Sequence, residues 1–218
     1  MATSANNPMI VFGGSFDPVH LGHIAVAEHI AKQCESTVRL MPCYQSPTKT
    51  QRASSSEDRL LMLHLATLAC PNLVIDTREL AAERPTYTID TMQQLRAEIT
   101  EEQSLIFVMG MDSLVGLDQW KSWQELLTIC HFYVVNRPGF SLEQNPAVQA
   151  YIDGYLTQDE NTLLESPSGK VFLDPSLALK VSSSAIRATI KDHQAVDQSV
   201  LHPEVLHFIQ QQKLYEEQ

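Results

Sequence analysis

The chain has 218 residues, 44% of them hydrophobic and 19% charged, and carries 15 Lys+Arg against 26 Asp+Glu for a formal charge of −11. That length predicts one domain with a sizeable core, and the composition excludes disordered and fibrous classes. The acidic balance speaks against a nucleic-acid coat or a binder of anionic membranes, both of which need clustered cations.

No apolar run approaches the ~18–20 residues of a membrane span. Residues 1–8 lack the basic and apolar regions of a signal peptide. Cys34, Cys43, Cys70 and Cys130 show no C-x-x-C spacing. Reduced thiols, two or three of them core filler, and a cytoplasmic location are expected.

In chain order, continuous apolar runs predict strands over 9–12, 38–41, 73–75, 105–109, 132–135 and 171–173. Runs without alternation suit strands covered on both faces. Helical patterning occupies 21–33, 57–69 and 88–99, and in the third Ile89, Met92, Leu95 and Ile99 form one buried stripe. Ser122 and Glu125 read as a capping box opening a helix to 129. The stretch 141–169 is acidic and Gln-rich with a helical piece near 147–155, and reads as an accessory insertion in a single domain. A last helix follows Pro203, with Val205, Phe208 and Ile209 on its apolar face, so 182–218 forms a small helical part. Strand–helix alternation of this kind predicts an α/β fold with a doubly wound parallel sheet.

The first strand runs into Gly13-Gly14-Ser15-Phe16-Asp17-Pro18-Val19-His20-Leu21-Gly22-His23. Two glycines let the backbone turn tightly against a ligand, and the following helix start favours a phosphate. His20 and His23 share one face of the first turn, with Gly22 between them allowing close approach. The string lacks the Gly-Lys-Ser/Thr of a Walker loop and the G-x-G-x-x-G of a dinucleotide fold. A zinc site would need a third ligand, and plain helix-start hydrogen bonding is the other reading of the histidines.

Further on, Pro85-Thr86-Tyr87-Thr88 opens a helix with Thr88 as a candidate N-cap. The fourth strand ends in Gly110 and Asp112, where a ribose-binding carboxylate could sit. Of Trp120 and Trp123, one is expected in the core and the other free to stack on a flat heteroaromatic ring. Asn136-Arg137-Pro138-Gly139 puts Arg137 on the same carboxyl-end rim. Near the other end, Ser182, Ser183 and Ser184 form an N-cap cluster, with Arg187 on the same side of the first turn.

Residues 13–23 resemble the signature of the nucleotidylyltransferase superfamily, whose H-x-G-H element is shared with class I aminoacyl-tRNA synthetases. Residues 181–187 are similar to its second element, I-S-S-T-x-I-R. Pro-Thr-Tyr-Thr, Gly110-Met-Asp-Ser-Leu, Trp120 and Asn-Arg-Pro-Gly together look like the bacterial nicotinate-nucleotide adenylyltransferases, over nearly the whole chain. The resemblance implies a single Rossmann-like nucleotidylyltransferase domain acting on ATP, with Mg²⁺, and on nicotinate mononucleotide. It implies that His20, His23 and Arg187 act in catalysis. ATP would meet Gly13, Gly14, Ser15, Gly22, Gly110, Asp112, Ser183, Ser184 and Arg187; the mononucleotide would meet Lys49, Tyr87, Thr88, Trp120 and Arg137. It implies no covalent intermediate; no protein metal ligand is assigned, and which group, if any, contacts Mg²⁺ stays open, Asp17 reading as structural before it reads as a metal contact. The family's Pro-Pro-His-Lys-like stretch reads Gln45-Ser46-Pro47-Thr48-Lys49 here, so the cation stays and the histidine is absent. Other readings of the same motifs are an acceptor such as nicotinamide mononucleotide or phosphopantetheine, or a non-catalytic nucleotide-binding module. With a charge of −11, two anionic substrates call for a locally positive cleft in an acidic body.

Overall fold

The computed structural model describes residues 7–45, 53–178 and 181–216. Its strands are β1 Met9–Gly14, β2 Val38–Pro42, β3 Leu73–Ile75, β4 Leu105–Gly110, β5 His131–Asn136, β6 Leu156–Thr157 and β7 Val171–Ala178. The helices are α1 Leu21–Gln33, α2 Ser56–Thr67, α3 Arg78–Ala81, α4 Thr88–Ala97, α5 Met111–Val115, α6 Leu126–Ile129, α7 Pro146–Ile152, α8 Ser183–Lys191 and α9 Pro203–Gln212. All strand pairs are parallel, in the order β3-β2-β1-β4-β5-β7-β6. The order departs from β1 in both directions, which opens a crevice at the carboxyl ends of β1 and β4.

The apolar runs divide residue by residue between two cores. Ile10 and Phe12 of β1, Ile106 and Val108 of β4, and Tyr133 and Val135 of β5 pack beneath α1, α2, α8 and α9. Their neighbours Val11, Phe107, Met109, Phe132 and Val134 pack on the opposite face with α4, α6 and α7. Period-two side chains on a doubly covered sheet therefore leave no polar register. Cys130 is buried, and Cys34 and Cys70 pack half-buried against the first core, the filler role expected of them. Among the described residues no helix is long and apolar enough to cross a membrane.

Several expectations change. The sheet has a seventh strand, β6, inside the 141–169 stretch just after its helical piece; two residues are too few to show a pattern. β7 continues past Leu173 because Asp174 is satisfied internally: its carboxylate accepts from Tyr133 Oη at 2.6 Å and from the amides of Ser176 and Leu177. The capping box at Ser122 does not form. Ser122 has φ 49, and residues 123–125 make a 3₁₀ turn before α6, whereas a side-chain cap needs extended backbone at that position. Thr88 is the first helical residue and Tyr87 the N-cap, so the Thr88 hydroxyl does not cap α4. The second helix does carry a reciprocal box, between Ser55 and Asp58.

Candidate active site

The helix start after β1 is capped by its own two histidines. The His20 amide donates to Nδ1 of His23 at 3.2 Å, and the His23 amide donates to Nδ1 of His20 at 3.3 Å. The rings stack at 3.6 Å. Because each Nδ1 accepts, each neutral ring carries its proton on Nε2. Burial, with the Arg137 charge second, brings the His20 pKa down to about 4. Burial, then His20 and Arg137, holds His23 well below its ordinary value. Two neutral imidazoles are thus fixed in one tautomer, each keeping an Nε2–H donor unused by the cap. The cap uses Nδ1 of each ring and leaves the opposite nitrogen for the ligand donation that the sequence also suggests.

Buried neighbours hold the loop before this helix. Phe16, at φ 48, sets its ring edge-on to His23 at 5.1 Å and to Phe12 at 5.7 Å. Arg59 of α2, wholly buried, donates from Nη1 to the carbonyls of Ser15 (2.8 Å) and Cys43 (2.7 Å) and from Nη2 to that of Tyr44 (3.1 Å). It straps the loop after β1 to the loop after β2, and the Cys43 amide adds a bond to the Gly14 carbonyl. Asp17 accepts from the Ala53 amide, Ser54 Oγ and Tyr215 Oη. Both of its oxygens accept hydrogen bonds, so its carboxylate has a structural role in the loop.

The second motif docks on the first. Ser182 caps α8 through the Ala185 amide. Ser183 Oγ donates to the Pro18 carbonyl at 2.9 Å, and Arg187 donates to the Asp17 carbonyl at 2.6 Å and to Ser184 Oγ at 3.2 Å. Residues some 165–170 apart in sequence therefore share one rim.

Beside the histidines opens a cavity of about 410 Å³ lined by Gly13, Gly14, Ser15, Tyr87, Thr88, Asp112 and Trp120, all singled out from sequence. Trp120 meets Phe107 edge-on at 6.2 Å, whereas Trp123 turns away onto Tyr151 of α7. A Cβ on Gly13 would stand 2.8 Å from the Phe107 ring, and one on Gly110 would stand 2.5 Å from the Asp112 carboxylate. These glycines make room for side chains that shape the wall. Gly110, Arg137, Ser183, Ser184, Arg187 and the two histidines do not line the cavity. Arg137 links the two regions, pairing with Asp112 at 2.7 Å while its charge reaches both imidazoles. Gly22 sits in the first turn of α1, and Lys49 lies outside the described residues.

The motifs did not single out three nearby groups. Arg59 reads in sequence as one more cation on an amphipathic helix. Glu79 of α3 lines the cavity and accepts from Thr91 Oγ1 at 2.7 Å; burial pushes its carboxyl pKa up. Lys121 holds Nζ 4.8 Å from the Tyr87 ring centroid and 3.0 Å from Asp90. Only its place next to Trp120 hints at this. Among the described residues no group of three His, Cys, Asp or Glu could hold a metal ion.

The cytidylyltransferase-like family model matches residues 11–189. A protein of Cellvibrio japonicus named "Probable nicotinate-nucleotide adenylyltransferase" is 39% identical, over 94% of this chain and 97% of its own. A protein of Pectobacterium atrosepticum with the same name is 38% identical over the same shares. A Plasmodium falciparum nicotinic acid mononucleotide adenylyltransferase, solved with NaAD, superposes with a TM-score of 0.71. It covers 97% of this chain and 98% of its own at 19% identity, a likeness of fold.

Proposed function

The chain belongs to the nicotinate-nucleotide adenylyltransferase family of cytidylyltransferase-like proteins, and on that premise we propose that it joins the AMP moiety of ATP to nicotinate mononucleotide. The products are deamido-NAD and pyrophosphate, a step of NAD biosynthesis. The observation that carries this reading is the mutually capped His20–His23 pair, two fixed Nε2–H donors beside a cavity walled by Trp120 and Tyr87.

The acceptor's 5′-phosphate is an anion at neutral pH, so it attacks the α-phosphorus without a general base. Catalysis rests on alignment and on donors aimed at developing charge. His20 and His23 donate to the reacting phosphate. The start of α1 and the glycines Gly13, Gly14 and Gly22 let its oxygens approach main-chain amides. Arg187, with Ser183 and Ser184, anchors the leaving pyrophosphate, and Gly110 and Asp112 take the adenosine portion. Mg²⁺ bound with ATP would neutralise phosphate charge, with Arg187, Ser183 and Ser184 beside it on the pyrophosphate.

Trp120 offers a face for the pyridine ring. The N-terminus of α4, at Tyr87 and Thr88, favours a carboxylate there over an amide. The nearby Lys121 supports the same preference. Arg137 and Lys49 serve the mononucleotide phosphate. Such an enzyme works in the cytoplasm beside its ATP supply. Residues 141–169 are an accessory insertion at the β6 edge, with five acidic residues and no Lys or Arg, and 182–218 form a helical part over the phosphate loop.

The test supplies ATP and Mg²⁺ with nicotinate mononucleotide, its amide, or phosphopantetheine, and follows pyrophosphate release. Release fastest with the nicotinate form is expected. Equal release with the amide overturns the specificity, and no release with any acceptor leaves a nucleotide-binding module.

A further inference from the structure

The last described turn of the chain reaches into the phosphate loop. After α9 the backbone turns through left-handed conformations at Lys213 (φ 52) and Tyr215 (φ 71). An aromatic residue holds such a conformation only where its surroundings over-determine it. Here the turn buries Tyr215 to 4% exposure and brings its hydroxyl 2.7 Å from Asp17 Oδ1, 3.3 Å from Ser54 Oγ and 4.0 Å from Met62 Sδ. Burial and the Asp17 charge push the phenol pKa up, so the hydroxyl stays a donor at every working pH.

Asp17 is itself only 5% exposed and faces two ways. Its carboxylate collects Tyr215, Ser54 at 2.6 Å and the Ala53 amide at 3.0 Å. Its main-chain carbonyl receives Arg187 at 2.6 Å, and the next carbonyl, of Pro18, receives Ser183 at 2.9 Å. Whatever fixes the Asp17 side chain therefore fixes the carbonyls on which the second phosphate motif rests.

We propose that Tyr215 is a positioning residue for the triphosphate site: its hydroxyl, through the Asp17 carboxylate, sets the carbonyl that orients Arg187. A remote aromatic at the end of the chain thereby tunes how the enzyme grips pyrophosphate. The pyridine cavity is lined by none of these residues and is untouched by the device.

This rests on the reading that Arg187 holds the leaving pyrophosphate, so binding is measured apart from turnover. Calorimetric titrations with magnesium pyrophosphate and with nicotinate mononucleotide are run on wild-type chain and on Tyr215→Phe. Pyrophosphate binding is expected to weaken about tenfold or more, the scale of one displaced hydrogen bond to a charged group. Mononucleotide binding stays within about twofold. In an Arg187→Lys background, which keeps the charge but loses the planar fork, Tyr215→Phe adds less than about twofold. Ser54→Ala removes the other donor to the same oxygen and is expected to show the same pattern, which keeps the test open should Tyr215→Phe fail to fold. Unchanged pyrophosphate affinity, equal loss in both backgrounds, or equal loss for both ligands overturns the proposal. A wild-type chain that releases no pyrophosphate with any acceptor overturns the functional reading and this proposal together.

Discussion

Arg137 forms an ion pair of 2.7 Å with Asp112, a cavity-lining residue, and after burial the same guanidinium is the second cause lowering the His20 pKa. A cation proposed to meet an anionic substrate is thus held by an internal carboxylate while its charge helps burial to keep the His20 imidazole neutral.

Arg137→Met separates these roles. Burial, the larger cause, still holds His20 low, but the repulsive cation is gone and Asp112 is left without its partner. Both changes favour the imidazolium, so the His20 pKa should rise from about 4 yet stay below 6.5. An NMR titration of the ring protons reads this directly. A pKa that does not move would show that the pair and the histidine are electrically independent.

Substitutions at His20 divide capping from chemistry. Asn places an amide oxygen where Nδ1 accepts from the His23 amide, and it is among the best N-caps. His20→Asn should therefore unfold at nearly the wild-type denaturant concentration while turnover falls roughly 10²–10³-fold with the lost Nε2–H donor. His20→Ala should show the same catalytic loss and about 1 kcal/mol less stability. His23→Ala should lose turnover by at least about 10²-fold. Wild-type turnover in His20→Asn would remove the Nε2 side of that ring from the reaction.

Acid stability follows from the same burial. A histidine with a folded pKa near 4 and an unfolded one near 6.5 binds more protons when unfolded throughout that interval. Its neutral form costs nothing above pH 6.5, and stability drains away as the pH falls toward 4, by about 3 kcal/mol from His20. His131, lowered mainly by burial, adds in the same direction. Asp76 and Asp174, held low by Arg78 and by Tyr133 and Ser176, act lower on the scale. Denaturant titrations from pH 7 to pH 4 should show falling stability, with a shallower fall in His20→Asn. An identical slope in the variant would assign the acid loss to other groups.

Much of this was legible in the sequence because it is local. Strand β1, helix α1 and the loop joining them follow from an unbroken apolar run, two glycines and a 3.6-residue pattern. Of the seven cavity residues named in advance, Gly13, Gly14, Ser15 and Asp112 sit at or just past strand ends, where parallel topology gathers them. Tyr87 and Thr88 instead open α4, and Trp120 follows a short turn. What escaped depends on residues that meet only after folding. Arg59 becomes buried because three carbonyls from two loops converge on it, and no spacing encodes that. Ser122 has the composition of a cap but a left-handed backbone imposed by its neighbours. Tyr215 lies 198 residues from Asp17, beyond any local pattern. The charge of −11 is a sum over the whole chain and carries no positions; the motifs, not the net charge, made Arg137 and Arg187 visible.

The two tryptophans give the sharpest contrast between recognition and packing. Trp120 lines the cavity against Phe107, whereas Trp123 packs on Tyr151 at 4.7 Å. Trp120→Ala removes the stacking face and should raise KM for the mononucleotide roughly 2- to 12-fold, the scale of one aromatic pair, with KM for ATP little changed. Trp123→Ala should leave both KM values alone and cost about 2 kcal/mol of stability, below the full-burial figure because the ring is half-buried. Steady-state kinetics paired with denaturant unfolding on both variants decides the matter. A KM effect that follows Trp123 rather than Trp120 would place the pyridine ring elsewhere.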